Sequence, residues 1–237
     1  MRLTVLGTLQ EALPAVCQER TVIVLDVLRA TTNMVTALEA GALSVLPVRH
    51  PAEAIGRRRE GCLLAGEREC VRIEGFDLGN SPLEFREETV AGKHIIMTTT
   101  NGTEAVRLTG PEAAAVLVGC LRNATACAET AAGFGRDIVL VCAGTKGHYS
   151  FEDGIGAGLI ADRLVRLLGG EAEPDDLAVT LMEAWRQTAP RLTERLLACE
   201  NGRRLTRLGF AEDVRFCATT DATRVVPLLA GSELIAW

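Results

Sequence analysis

The sequence predicts an α/β fold, a three-layer α/β/α arrangement around a mixed, mostly parallel sheet, with a helical segment in the C-terminal third. Two observations carry this expectation. Short apolar runs alternate with longer amphipathic stretches along the first two thirds of the chain. From Glu173 to Phe216 the strand-like runs stop and helical spacing takes over. Taken in order, the apolar runs predict strands over 2–6, 21–26, 43–48, 62–66, 93–98, 115–118 and 137–143. Between them, Thr32 to Ala42 places Met34, Val35, Leu38 and Ala42 at helical spacing, with Gly41 as a stop signal. Stretches 101–108, 122–134 and 153–168 read the same way. The last sets Ile155, Leu159, Ile160 and Leu164 on one stripe and Asp162 and Arg163 on the other side, so it should pack on the sheet. Leu177 to Thr188 and Ala189 to Glu200 predict two further helices that meet at a corner, because Pro190 suits a first helical turn. Arg224 to Leu228 and Glu233 to Ile235 return to the sheet. No Ser-, Pro- or Gly-rich linker interrupts the chain, and Glu171 to Asp176 reads as a loop. The expectation is a single unit over 1–237, with room for two lobes around a central cleft.

Composition narrows the function. The 237 residues are 48% hydrophobic and 24% charged, outside the compositions that stay disordered. A net charge of -6 and only two Trp, one Tyr and six Phe argue against nucleic acid as a partner. The longest apolar runs fall far short of the roughly 20 residues a membrane helix needs, so no membrane partner is expected. The N-terminus lacks the apolar segment and cleavage site of a secretory signal, and a cytoplasmic location is the expectation. Eight cysteines, none in a C-x-x-C pair, read as reduced core residues. Of 25 basic residues only Lys93 and Lys146 are lysines, which draws the eye to Lys146.

Three strand ends look like one device. The run ending at Leu25 discharges into Asp26-Val27-Leu28-Arg29-Ala30-Thr31-Thr32-Asn33; the run ending at Met97 into Thr98-Thr99-Thr100-Asn101-Gly102-Thr103; the run ending at Val141 into Cys142-Ala143-Gly144-Thr145-Lys146-Gly147-His148 and on to Phe151-Glu152-Asp153-Gly154. Each then enters a predicted helix, whose first N–H groups are unpaired and favour anions. Capping alone would account for the hydroxyls. It does not account for Asp26, Arg29, Lys146, Glu152 and Asp153. Ligands of open α/β sheets gather at the carboxyl ends of strands, so the three junctions are expected to converge. A fourth stretch, Gly66-Glu67-Arg68 followed by Arg72 to Pro82, is a long charged loop of the kind that usually carries function. Asp26, Glu67, Glu74, Asp77 and Asp153 are oxygen donors suited to a hard cation.

These same segments carry a family resemblance. Asp26 to Thr32, Gly66-Glu67-Arg68, Glu74-Gly75-Phe76-Asp77-Leu78-Gly79-Asn80-Ser81-Pro82, Thr99 to Thr103, Cys142 to Gly154 and the late Asp213 to Cys217 stretch resemble the 2-phosphosulfolactate phosphatase family, from about residue 20 to about residue 228. Glu69-Cys70 departs from its pattern, where smaller or glycine residues are expected. The resemblance implies a magnesium-dependent phosphoric monoester hydrolase that converts 2-phospho-3-sulfolactate to 3-sulfolactate and phosphate, a step of coenzyme M biosynthesis. Its expected metal ligands are Asp26, Glu67 and Asp153, direct or through water, with Mg2+ as cofactor. Arg29 joins them as a catalytic residue and, with Thr99, Thr100, Asn101, Gly102 and Thr103, holds the phosphate. Lys146 and Arg68 meet the carboxylate or sulfonate, and Thr31, Thr32, Asn80 and Ser81 complete the expected substrate contacts.

Two alternatives stay open at this level: a magnesium-dependent phosphatase of another small phosphorylated carboxylic acid, and a non-catalytic module that binds phosphorylated metabolites. The attacking group is likewise open. Haloacid dehalogenase-type phosphatases keep a second Asp two residues after their nucleophile; here that position is Leu28, which favours a metal-activated water over Asp26. His148 and the Arg57-Arg58-Arg59 run read as loop and solvated surface, and Gly154-x-Gly156-x-Gly158 as close helix packing rather than a dinucleotide fingerprint. The number of subunits is left open, homo-oligomers included.

Overall fold

The computed structural model describes residues 1–237. Eleven strands form one sheet: β1 Arg2–Leu6, β2 Thr21–Leu25, β3 Ser44–Pro47, β4 Cys62–Arg68, β5 Val71–Arg72, β6 His94–Thr98, β7 Ala115–Gly119, β8 Ile138–Cys142, β9 Glu173–Pro174, β10 Pro227–Ala230 and β11 Glu233–Ala236. Their order is β5-β4-β6-β3-β11-β10-β7-β2-β8-β1-β9. All neighbours from β7 to β9 pair in parallel, as do β3, β6 and β4. The β10–β11 hairpin stitches these two parallel groups together in antiparallel fashion, through Leu228 opposite Leu117 and Leu234 opposite Val45. The sheet is therefore mixed and mostly parallel, as the alternation in the sequence predicts.

Alternate residues of a strand point to opposite faces, and both faces here are apolar. Ile23, Leu25, Leu117 and Leu140 join one core with residues of helices Ala124–Gly133, Phe151–Leu168 and Asp176–Thr188. Val22, Val24, Val116 and Val139 join the other with helices Ala30–Glu39 and Gly102–Thr109. Three layers follow. The glycines of helix Phe151–Leu168 serve this packing: a side chain at Gly158 would collide with the Leu181 carbonyl of the neighbouring helix, and one at Gly156 would meet Val27 Cγ2 at 2.9 Å.

Three expectations need correction. Ala189 to Glu200 is not one helix: a 3-10 turn over Ala189–Arg191 leads into helix Leu192–Ala198, and a second helix, Glu200–Arg207, starts after Cys199. Cys199 has extended backbone and its sulfur accepts the Gly202 N–H, so it caps the second helix and ends the first. The acidic Glu171 to Asp176 segment contributes the edge strand β9, which pairs with Arg2 and Leu3. Val71 and Arg72 form β5 as the return arm of a hairpin with β4.

Candidate active site

The ends of β2, β4, β6 and β8 face one open, polar-lined cavity. Four strands separate β2 from β6 in the sheet, yet their ends touch. A side chain at Gly102 would lie 2.6 Å from Ala30 Cβ and 2.8 Å from Asp26 Oδ2, so only glycine lets helix Gly102–Thr109 start this close to the β2 junction.

Asp26 is buried where β2 ends. Its carboxylate accepts the Ala30 N–H at 3.3 Å, and its own N–H donates to Thr31 Oγ1 at 3.0 Å. Three residues on, after a cis Leu28–Arg29 peptide, Arg29 is 2% exposed. Its Nη1 lies 2.5 Å from Asp213 Oδ2, and its guanidinium stacks 4.5 Å from the Phe210 ring centroid. Ser81 Oγ donates to the other Asp213 oxygen at 2.8 Å. The late Asp213 stretch and the Asn80-Ser81-Pro82 loop thus share one task, holding a buried guanidinium flat against the cavity with one of its five N–H groups committed.

Glu67 joins β4 to the β6 junction. Its Oε1 accepts the Thr100 N–H and hydroxyl at 2.9 and 2.7 Å, and its Oε2 accepts the Cys70 N–H at 2.7 Å. Asp153, in the first turn of helix Phe151–Leu168, accepts the Val27 N–H at 2.8 Å and the Gly144 N–H at 3.0 Å, bracing the β2 and β8 turns against each other. Beside it Glu152 accepts from Asn201 Nδ2 at 2.6 Å and from the Cys199 thiol at 3.3 Å. Four carboxylates therefore crowd the inner end with no basic side chain bonded to any of them. Burial, and then the neighbouring Glu152 and Glu67 charges, push the Asp26 carboxyl up to about 7 despite the Ala30 N–H. Burial likewise raises Glu152, and raises Asp153 well above the usual carboxylate range with Glu152 and Asp26 adding to the effect.

Of the residues expected at the site, Asp26, Arg29, Glu67, Asn80, Thr99, Thr100, Asn101 and Lys146 line the cavity. Others are placed differently. Arg68 faces away: it follows Glu67 on a strand and so points to the opposite side, where it donates to Thr98 Oγ1 at 3.0 Å and to the Arg49 carbonyl at 3.1 Å. Thr32 Oγ1 donates to the Val27 carbonyl, and the Thr103 hydroxyl bonds Thr99, so both hydroxyls serve their own turns, as does that of Thr31. Ser81 stands behind Arg29, and Asp153 stands behind the wall. The amides expected to receive phosphate are also engaged: Thr99 N–H donates to Thr103 Oγ1 and Thr100 N–H to Glu67, while the Gly102 amide favours the charged form of Asp26. Sequence reasoning missed Asn201 and Arg204, which reach the cavity one helical turn apart from helix Glu200–Arg207. An i, i+3 polar pair on an amphipathic helix carries no signal of its own.

The family model described as 2-phosphosulpholactate phosphatase matches residues 8–232. A probable 2-phosphosulfolactate phosphatase of Caldanaerobacter subterraneus subsp. tengcongensis is 43% identical over 216 residues, 90% of this chain and 88% of that protein. A protein of the same description from Thermotoga petrophila is 41% identical over 217 residues, 91% of this chain and 92% of its own length. One from Deinococcus radiodurans is 40% identical over 89% of this chain and 88% of its own.

Proposed function

The chain belongs to the 2-phosphosulfolactate phosphatase family of phosphoric monoester hydrolases, and on that premise we propose that it hydrolyses 2-phospho-3-sulfolactate to 3-sulfolactate and phosphate, on the route to coenzyme M, with magnesium as cofactor. The observation that carries the reading is the wall on which Asp26 and Arg29 stand three residues apart: a buried carboxylate next to a buried, pre-aligned guanidinium with free N–H groups. Phosphoryl transfer asks for positioning and charge stabilisation more than for covalent help, and a planar fork suits phosphate oxygens.

The donor set suits a hard cation. Carboxylates that lack basic partners and drive one another's pKa upward hold negative charge that a divalent ion would relieve. Magnesium typically takes one or two protein carboxylates and fills its other positions with water and substrate oxygens. Asp26 and Glu67, both on the wall, would hold it; Asp153 acts through the turns it braces. Magnesium there would supply a Lewis acid for the phosphoryl oxygens and the acidity that makes water a nucleophile at neutral pH. Arg29 binds the phosphate and stabilises the charge it gains. Asn80 and Asn101 offer neutral donors beside it, and Leu28 fills the position at which a second Asp would act as a general acid. Lys146 gives the open side positive charge for a substrate that carries further acid groups. A cytoplasmic location is part of this proposal, in keeping with eight cysteines that stand as free thiols; no helix is long and apolar enough to cross a membrane.

Phosphate release from 2-phospho-3-sulfolactate, phospholactate and phosphoglycolate tests this, with and without a chelator. Magnesium-dependent turnover fastest on the sulfonated ester is expected. Equal rates on all three would remove the sulfonate from the assignment, and no release from any would overturn the enzymatic reading.

A further inference from the structure

The open side of the cavity holds a charge cluster that phosphate hydrolysis itself does not use. Lys146 Nζ lies 3.5 Å from Glu69 Oε1, and Arg204 Nη2 donates to Glu69 Oε2. All three side chains line the cavity, each delivered by a different part of the chain. Exposed ion pairs add little stability, since water screens them and long side chains must be ordered to make them. This one is also built on reluctant backbone. Glu69 and Cys70 have φ of +53° and +68° in the two-residue turn between β4 and β5, positions that favour Asn-Gly, and Lys146 has φ of +52°. Nor does the Glu69 carboxylate hold the hairpin. The ladder closes through Glu67 with Arg72 and Arg68 with Val71, and the Cys70 N–H is taken by Glu67. Its oxygens touch only the two cations.

We propose that Arg204 and Lys146 form the subsite for the second acid group of the substrate, a carboxylate or sulfonate, and that Glu69 is a built-in occupant of that subsite which an acidic substrate displaces. The proposal rests on the reading of the substrate as a phosphorylated acid. The crowded carboxylates at the inner end repel such a group, and the two cations at the opening draw it. Glu69 reaches both cations at once, one with each carboxylate oxygen, which is the arrangement an incoming carboxylate or sulfonate would take over. A phosphate ester with no second acid group leaves Glu69 in place; one that carries it exchanges one anion for another. An internal competitor lowers apparent affinity by the fraction of molecules in which it sits on the subsite.

Calorimetric titration of 3-sulfolactate in magnesium buffer, a probe that carries both acid groups and no phosphate, separates these roles without turnover. Three variants at solvent-accessible positions are compared with the unaltered enzyme. Arg204→Gln and Lys146→Gln should weaken binding about tenfold or more, as expected for losing a charge-assisted hydrogen bond. Glu69→Gln should tighten it about two- to fivefold, the worth of an exposed ion pair. Lactate as a second probe identifies the group that docks. If Arg204→Gln weakens sulfolactate alone, the sulfonate sits there; if it weakens both, the carboxylate does. Unchanged or weaker binding by Glu69→Gln, unchanged binding by Arg204→Gln, or no binding to the unaltered enzyme would overturn the proposal. Magnesium-dependent phosphate release, measured separately, decides the phosphatase reading, so either can fail alone.

Discussion

On the inner wall of the cavity Asp26 and Glu67, with Glu152 and Asp153 behind them, form a buried group of carboxylates whose charges act on Asp26, whereas at the opening Glu69, Lys146 and Arg204 stand in contact with solvent. The same kind of group behaves oppositely in the two places. Inside, desolvation drives the carboxyl pKa values of Asp26, Glu152 and Asp153 upward, and repulsion from neighbouring carboxylates adds to it, so charge there is costly. Outside, a carboxylate held by two cations is shifted the other way and water screens the pair. The inner end should therefore govern whether the reaction happens, and the opening which molecule enters.

The largest effects should come from inside. Asp26→Asn and Glu67→Gln are expected to lower kcat by about 10³-fold, with circular dichroism unchanged. Arg29→Lys should cost about ten- to a hundredfold, because a planar fork is lost while the charge remains. If these variants move only KM, the division between inner end and opening fails.

Asp213 sharpens the same comparison from the stability side. Asp213→Asn leaves the Arg29 guanidinium buried without its ion partner, and denaturant unfolding should show a loss of about 3–5 kcal/mol. An exposed counterpart, Glu69→Gln, should change stability by about 0.5 kcal/mol or less. Equal losses would mean that burial is not what sets the two regions apart.

The pH dependence carries a defined sign. Asp26 ionises near its ordinary value in the unfolded chain and at about 7 in the folded one. Between those values the folded state keeps a proton that the unfolded state has lost, so stability falls as pH rises through this window, and the whole penalty is present above the folded pKa. In metal-free protein, Asp26→Asn should therefore melt at higher temperature than the unaltered chain at pH 8 and show no such gain at pH 4. Saturating magnesium at about a hundred times its Kd should raise the melting temperature of the unaltered protein at pH 8 by about 5–10 °C, and that of Asp26→Asn by much less. A smaller effect is expected at the opening: added salt should raise KM for the acidic substrate severalfold while leaving kcat unchanged, and Lys146→Gln should flatten that response.

Much of this was legible in the residues. Apolar runs place the long strands because both faces of the sheet are covered, and three polar strand ends point to one crevice because ligands gather there. Two-residue strands such as β5 and β9 have no periodicity to read. The site was readable as a list of side chains but not as an accounting of their lone pairs and N–H groups: Asp153, Thr31 and Ser81 are near the cavity, and their atoms are committed to the fold. Arg68 is a different case. The strand period alone separates it from Glu67, and applying that rule would have put it on the far side. Asn201 and Arg204 come from a helix whose spacing looks like any amphipathic surface, and only the tertiary contacts of that helix bring them to the opening. Glu69-Cys70, visible as a departure from the family pattern, turns out to mark the one hairpin whose turn residues aim a carboxylate at two cations.

Crystals soaked with manganese in place of magnesium, together with 3-sulfolactate, test the charge division most directly, since anomalous scattering locates the cation and the sulfur separately. The predicted result is a manganese peak within bonding distance of an Asp26 oxygen and the sulfur at the opposite, Lys146 and Arg204 side. A cation at the opening, or an acid group seated against Asp26 with no cation between them, would contradict it.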